Sequence, residues 1–136
     1  VADKYIPAVA RIDPIIPTIN DDEKNFGRLV STLADVGVRQ VTVATMKPVK
    51  GFFSTLKQIN PEVCERLFKL YADGKWVVGY KYLHEERRKT ILEKLRPIVL
   101  NHKLGFASCR EGFPQLNTAL CDGTAYCRNL LNTYLR

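Results

Sequence analysis

Apolar positions along the chain fall into short runs and helical periods that predict an alternation of strands and helices. Ala8-Val9-Ala10-Arg11-Ile12 is a short apolar run closed by Pro14 and Pro17, which predicts a buried strand. Asn20, Asp21, Asp22 and Glu23 follow as a cap and acidic first turn, which suit the positive end of a helix dipole. Phe26, Leu29, Val30, Leu33 and Ala34 then recur at helical spacing up to Gly37, a natural stop. Residues 38–45, rich in β-branched side chains, predict a second strand. Strand, amphipathic helix and strand make a βαβ unit, whose strands should be parallel and whose crossover right-handed.

Residues 51–72 predict two helices, with Pro61 opening the second behind an Asn60 cap. Residues 74–82 fit a short strand or an extended crossover. Residues 84–102 predict a helix with Leu92, Leu95 and Val99 inward, kinked or split at Pro97. Residues 104–108 predict a third strand, 109–122 a long loop and 124–135 a terminal helix. The expected fold is a single α/β domain spanning 1–136, with no internal linker.

The composition agrees. A chain of 136 residues, 46% of them hydrophobic, suffices for one ordinary core. Low-complexity segments and repeats are absent, which argues against disorder. No apolar run reaches the roughly 18–20 residues needed to span a bilayer. The start, Val1-Ala2-Asp3-Lys4-Tyr5, has neither an initiator Met nor a signal-peptide pattern and reads as an internal boundary.

Charge adds one candidate activity. Twenty-one Lys and Arg against fourteen Asp and Glu give a net charge of +7, a field that attracts polyanions. Basic residues gather at Arg87, Arg88, Lys89, Lys94 and Arg96, with Lys47, Lys50 and Lys57 earlier. Such a run is more often a solvated helix face than a nucleic-acid site. Trp76, Tyr80 and Tyr82 could stack on bases, although aromatics at this density are more often core.

Sites in parallel α/β folds form at the carboxyl ends of the strands, where the connecting loops gather. The expected strands bring Arg11 and Asp13, then Thr45, Met46 and Lys47, then Ser108, Cys109, Arg110 and Glu111 to one rim. Arg11 and Lys47 suit a carboxylate or phosphate, while Asp13 and Glu111 suit hydroxyls or amines. Structural ion pairing explains such a rim equally well.

Of the four cysteines, Cys64 sits in a helical run and reads as a small packed hydrophobe. Cys109, Cys121 and Cys127 lie in loop-like sequence. Their C-x11-C-x5-C spacing matches no standard zinc finger, yet three loop thiolates could hold a metal or cluster. Unrelated, loosely spaced thiols are as good a reading. His84 and His102 sit at helix ends, where capping is commoner than ligation. The chain carries no GxGxxG, Walker A, G-x-S-x-G or H-E-x-x-H motif.

Three segments, in order, resemble a known family. Arg11-Ile12-Asp13-Pro14-Ile15-Ile16-Pro17-Thr18-Ile19-Asn20-Asp21-Asp22 is similar to the fifth-strand segment of radical S-adenosylmethionine proteins of the spore photoproduct lyase type, often labelled DNA repair photolyases. Thr45-Met46-Lys47-Pro48 resembles their next strand end. Phe106-Ala107-Ser108-Cys109-Arg110-Glu111-Gly112-Phe113, followed by Cys121-Asp122-Gly123, resembles the C-terminal signature of archaeal members. Two departures stand out. The family's cluster-binding C-x3-C-x2-C is not in this chain, and Thr18 stands where Gly is expected after the proline.

The resemblance implies the C-terminal part of a partial (β/α)6 TIM-like barrel, inactive without an N-terminal portion that carries a 4Fe–4S cluster. It implies that Arg11, Asp13, Ile15 and Lys47 help hold the adenosyl part of S-adenosylmethionine, and that Ser108, Arg110 and Glu111 face the substrate cavity. Cys109 would donate a hydrogen atom to a substrate radical, or join Cys121 and Cys127 around an auxiliary metal. These roles compete, because a metal-bound thiolate has no S–H to give. A nucleic-acid partner through Arg87, Arg88, Lys94 and Arg96 and a cytoplasmic location, given oxygen-sensitive chemistry, are further expectations. So is a homodimer joined through unpaired sheet edges. Set against the enzyme reading are a non-catalytic nucleic-acid-binding module and a cysteine-metal module.

Overall fold

A computed structural model describes residues 6–127 of the chain. Strand β1 (Val9–Ile15), helix α1 (Glu23–Asp35) and strand β2 (Gln40–Thr45) form the expected βαβ unit, with β1 and β2 parallel. Helices α2 (Phe52–Ile59) and α3 (Pro61–Tyr71) follow, then a small hairpin of β3 (Trp76–Val77) and β4 (Tyr80–Lys81). Helix α4 (Glu85–Asn101) leads into β5 (Gly105–Ser108), which pairs in parallel with β2. The main sheet therefore runs β1-β2-β5, each strand beside its predecessor.

Local chemistry explains the boundaries. Asp22 caps α1 by accepting the Asn25 amide at 2.8 Å, and Asn60 caps α3 by accepting that of Val63 at 3.1 Å, with Pro61 at the first helical position. Asn20, expected as a cap, instead staples the turn after β1, accepting from the Ile16 amide and donating to the Pro14 carbonyl. Residues 74–82 make the hairpin, turning at Val78 and Gly79, whose φ angles of 47° and 83° suit a tight turn between twisted strands.

Two expectations about proline are corrected. The first strand does not end at Pro14 but continues to Ile15, with a register shift between Ile12 and Ile15 and a cis Asp13–Pro14 peptide. Pro97 does not split α4, since the core seats the helix on both sides of it through Leu92, Leu95 and Val99. Each of these side chains contributes about 1.5–3 kcal/mol of burial, comparable to the cost of an interior proline. The terminal helix expected over 124–135 begins as a 3-10 turn at Thr124–Tyr126; the rest of that expectation lies outside the described residues.

The two faces of the sheet differ. Val41, Val43 and Phe106 share one core with Phe26 and Val30 of α1 and Leu92, Leu95 and Val99 of α4, so both crossover helices cover the same face. By the period of two, Gln40 and Thr42 point to the opposite face. They are fully buried there beneath residues 120–121: Gln40 Nε2 donates to the Leu120 carbonyl at 2.9 Å and Thr42 Oγ1 to that of Cys121 at 3.1 Å. Close approach needs Gly123, whose backbone is left-handed at φ 78° and where a Cβ would lie 2.9 Å from Val9 Cγ1.

The same segment closes one sheet edge. Thr118 N–H donates to the Phe106 carbonyl, Thr118 Oγ1 accepts from the Phe106 amide and Asn117 Oδ1 from that of Ser108, at 2.8, 2.8 and 2.7 Å. Of the two edges expected to be unpaired, β5 is thus capped from within. Among the described residues no strand pairs with the outer edge of β1. No helix among them is long and apolar enough to cross a membrane.

Candidate functional site

The rim residues divide into two clusters. Glu111 is buried, and its carboxylate accepts from the Thr45 amide at 2.7 Å, from Thr45 Oγ1 at 3.0 and 3.1 Å and from Lys47 Nζ at 2.5 Å. Arg88 lies 3.6 Å from the same carboxylate and donates to the Glu111 carbonyl, while its guanidinium stacks near the Tyr82 and Phe113 rings. This knot ties the end of β2 to the start of α4 and the turn after β5. Its charges offset one another in place, as burial demands. The neighbouring Tyr71 phenol donates to the Met46 carbonyl; burial first, then the Glu111 charge, push its pKa above the ordinary tyrosine value.

The second cluster is open. Arg11 lies beside the Cys109 sulfur and forms an ion pair with Asp13 at 3.0 Å, which together raise the arginine pKa. Cys109 is in turn a neighbour of Cys121, whose thiol is pushed up first by burial and then by Cys109. A cavity of about 260 Å³ opens over these groups, lined by Arg11, Asp13, Lys47, Tyr80, Cys109 and Arg110 among others. Arg110 holds a left-handed backbone at φ 56°, and its guanidinium lies 5.5 Å from the Tyr80 ring centroid. It makes no ion pair among the described residues, so it is the cavity's least neutralised cation.

The structure thus brings Arg11, Asp13, Lys47, Cys109 and Arg110 together with the expected Thr45 and Met46, and turns Ile15, Ser108 and Glu111 away from that cavity. Ile15 turns into the apolar core and Ser108 is buried against Asn117, with its hydroxyl 3.0 Å from Asn117 Oδ1. Glu111 faces inward, and Lys47 reaches the cavity wall with its ammonium committed to Glu111. Lone polar residues at strand ends do not announce which neighbour will neutralise them.

The cysteine trio separates as well. Cys109 and Cys121 are neighbours, while the Cys127 sulfur lies 4.0 Å from the Gly123 carbonyl. Among the described residues no group of three His, Cys, Asp or Glu side chains could hold a metal ion. Cys64 is buried and donates to the Phe53 carbonyl at 3.2 Å, as a packed thiol should. His84 and His102 sit at the two ends of α4, with Nδ1 3.4 Å from the Glu86 amide and 2.9 Å from the Ile98 carbonyl respectively.

The basic run of α4 is not a free cationic face. Arg87 pairs with Asp73 at 3.3 Å, Arg88 belongs to the buried knot, Lys94 pairs with Asp21 at 3.1 Å and Arg96 donates to the Leu116 carbonyl at 2.8 Å. Nor are all the aromatics core: Trp76 is 55% exposed and Tyr80 37%, because a two-residue hairpin has no second face to bury them. Gln40 and Thr42 were missed as a polar patch, although the alternation Gln40-Val41-Thr42-Val43 carries the signal.

Fold and site together define an α/β domain with a small polar cavity at the carboxyl ends of parallel strands. The chain matches no protein-family model, no curated protein and no solved structure.

Proposed function

We propose that this domain is the C-terminal part of a radical S-adenosylmethionine enzyme of the lyase type, contributing one wall of the cofactor and substrate cavity. The observation that carries the reading is the sheet: strands follow one another in sequence order, helices cover one face, and polar side chains line the other. That is the layout of a barrel segment whose lumen face is polar. Two details support it. Thr18, where the family pattern has Gly, adopts φ 64°, a conformation Gly favours. The cavity, at about 260 Å³, lies below the roughly 300–1,000 Å³ of complete small-molecule sites, as one wall of a larger site would.

The residues present fit part of such a cofactor. Arg11 and Arg110 suit its carboxylate, Asp13 suits ribose hydroxyls or an amine, and Tyr80 offers a ring face. They do not fit a 4Fe–4S cluster, whose ligands this chain lacks. Bound S-adenosylmethionine would supply the 5′-deoxyadenosyl group; the chain would orient it and place the Cys109 S–H on the cavity wall.

S-adenosylhomocysteine, titrated into the full chain and followed by saturation-transfer NMR, tests the reading. Transfer to the adenosine protons is expected, and Arg11→Ala should weaken binding about tenfold, the worth of one charge-assisted hydrogen bond. No transfer, or binding indifferent to Arg11 and Arg110, would overturn it.

A further inference from the structure

We propose that Cys109 and Cys121 form a reversible intrachain disulfide, made by exchange with a small disulfide such as oxidised glutathione. This does not rest on the cofactor reading. Cys109 lies two residues beyond Ala107, which is level with Thr42 of the adjacent strand. Thr42 Oγ1 holds the Cys121 carbonyl at 3.1 Å, so the covering segment delivers residue 121 over that strand, and the two thiols become neighbours. Both residues are partly exposed and open to a small oxidant, whereas Cys64 is buried.

Arg11 sets the order of events. Its guanidinium lies beside the Cys109 sulfur on the wall of the open cavity, where it draws the anionic oxidised glutathione to Cys109, while Cys121 does not line that cavity. Cys109 thiolate displaces one glutathione thiolate from the oxidised dimer and forms a mixed disulfide. Cys121, losing its proton to solvent, attacks the Cys109 sulfur and releases the second glutathione. Two protein thiols are oxidised, one disulfide is reduced to two thiols, and excess reduced glutathione reverses both steps. The ring so closed spans residues 109–121 and contains Asn117 and Thr118, which cap the β5 edge. It also removes the Cys109 S–H from the cavity wall, so oxidation both pins the covering segment and alters the site.

The full chain is equilibrated in glutathione buffers of increasing oxidation, its free thiols are trapped with iodoacetamide, and intact mass and peptide mapping follow. Two of the four thiols should disappear together, in a species linking the peptides of residues 109 and 121. Cys121→Ser should instead trap a single glutathione on Cys109. Cys127→Ser, outside the pair, should close the ring as the native chain does and serves if Cys121→Ser fails to fold. The proposal is overturned if the native chain keeps all its thiols at the oxidising end, accumulates the Cys109 adduct, or is oxidised first at Cys127.

Discussion

The Glu111 knot and the Arg11–Cys109–Cys121 cluster are built from the same materials at the same ends of the same sheet, yet one is sealed and the other open. Glu111, Lys47 and Arg88 have side chains 0, 7 and 14% exposed, and each polar group finds a partner inside the chain. Arg11 and Asp13 are 46 and 37% exposed, their ion pair is solvated, and two thiols beside it carry no structural duty of comparable weight. A charge at a strand end is thus part of the scaffold when three elements converge on it, and is available to a ligand when only the sheet supports it.

The largest expected effect separates the two regions directly. Glu111→Ala leaves Lys47 and Arg88 buried without their anion and should cost about 3–5 kcal/mol. Arg11→Ala, in the solvated pair, should cost no more than about 1 kcal/mol. Urea denaturation with an unchanged m-value measures both. Equal losses would erase the distinction between knot and cluster.

Much of the scaffold was legible because it rests on local signals. The βαβ unit, the cap at Asn60, Pro61 as a helix start and the final parallel strand follow from periodicity and capping chemistry. The site was legible only as a rim. Arg11, Asp13 and Cys109 share it as expected, but Glu111 turned inward because Thr45 and Arg88, distant in sequence, meet it there. Arg87 and Arg88 make the point on one helix: adjacent residues of one type, one held by exposed Asp73 and the other inside the knot. Sequence spacing assigns a residue to an element; which opposite charge it meets is decided by tertiary packing.

A middle-sized effect tests what holds the open cluster together. Thr42→Val keeps the shape but deletes the hydroxyl that accepts from Gln40 Nε2 and donates to the Cys121 carbonyl. One N–H of Gln40 Nε2, which keeps the Leu120 carbonyl, and the Cys121 carbonyl then lose their partner, at about 1–3 kcal/mol. Hydrogen exchange should quicken at the Phe106 and Thr118 amides, where the covering segment grips β5. If those amides stay protected, residues 117–118 hold the edge independently of residues 120–121.

The smallest effect is alkaline, and it reads the two regions separately. The Cys121 thiol is raised above its ordinary value of 9.0, and the Tyr71 phenol, beside the knot, above 10.0. Each group holds its proton more tightly in the folded state. Below its unfolded pKa it favours neither state; above it, the unfolded chain has already released a proton that the folded chain retains. The unfolded state then binds fewer protons, and stability falls as pH rises. Denaturation midpoints under reducing conditions should therefore begin to fall near pH 9 and steepen near pH 10. Cys121→Ser should remove the earlier decline and Tyr71→Phe the later one. Tyr71→Phe also forfeits the hydrogen bond to the Met46 carbonyl and starts about 1 kcal/mol lower, so the slope against pH, and not the absolute midpoint, is the reading that counts. A slope untouched by either substitution would mean that neither group is held more firmly by folding, and the contrast between sealed and open clusters would then rest on the carboxylate alone.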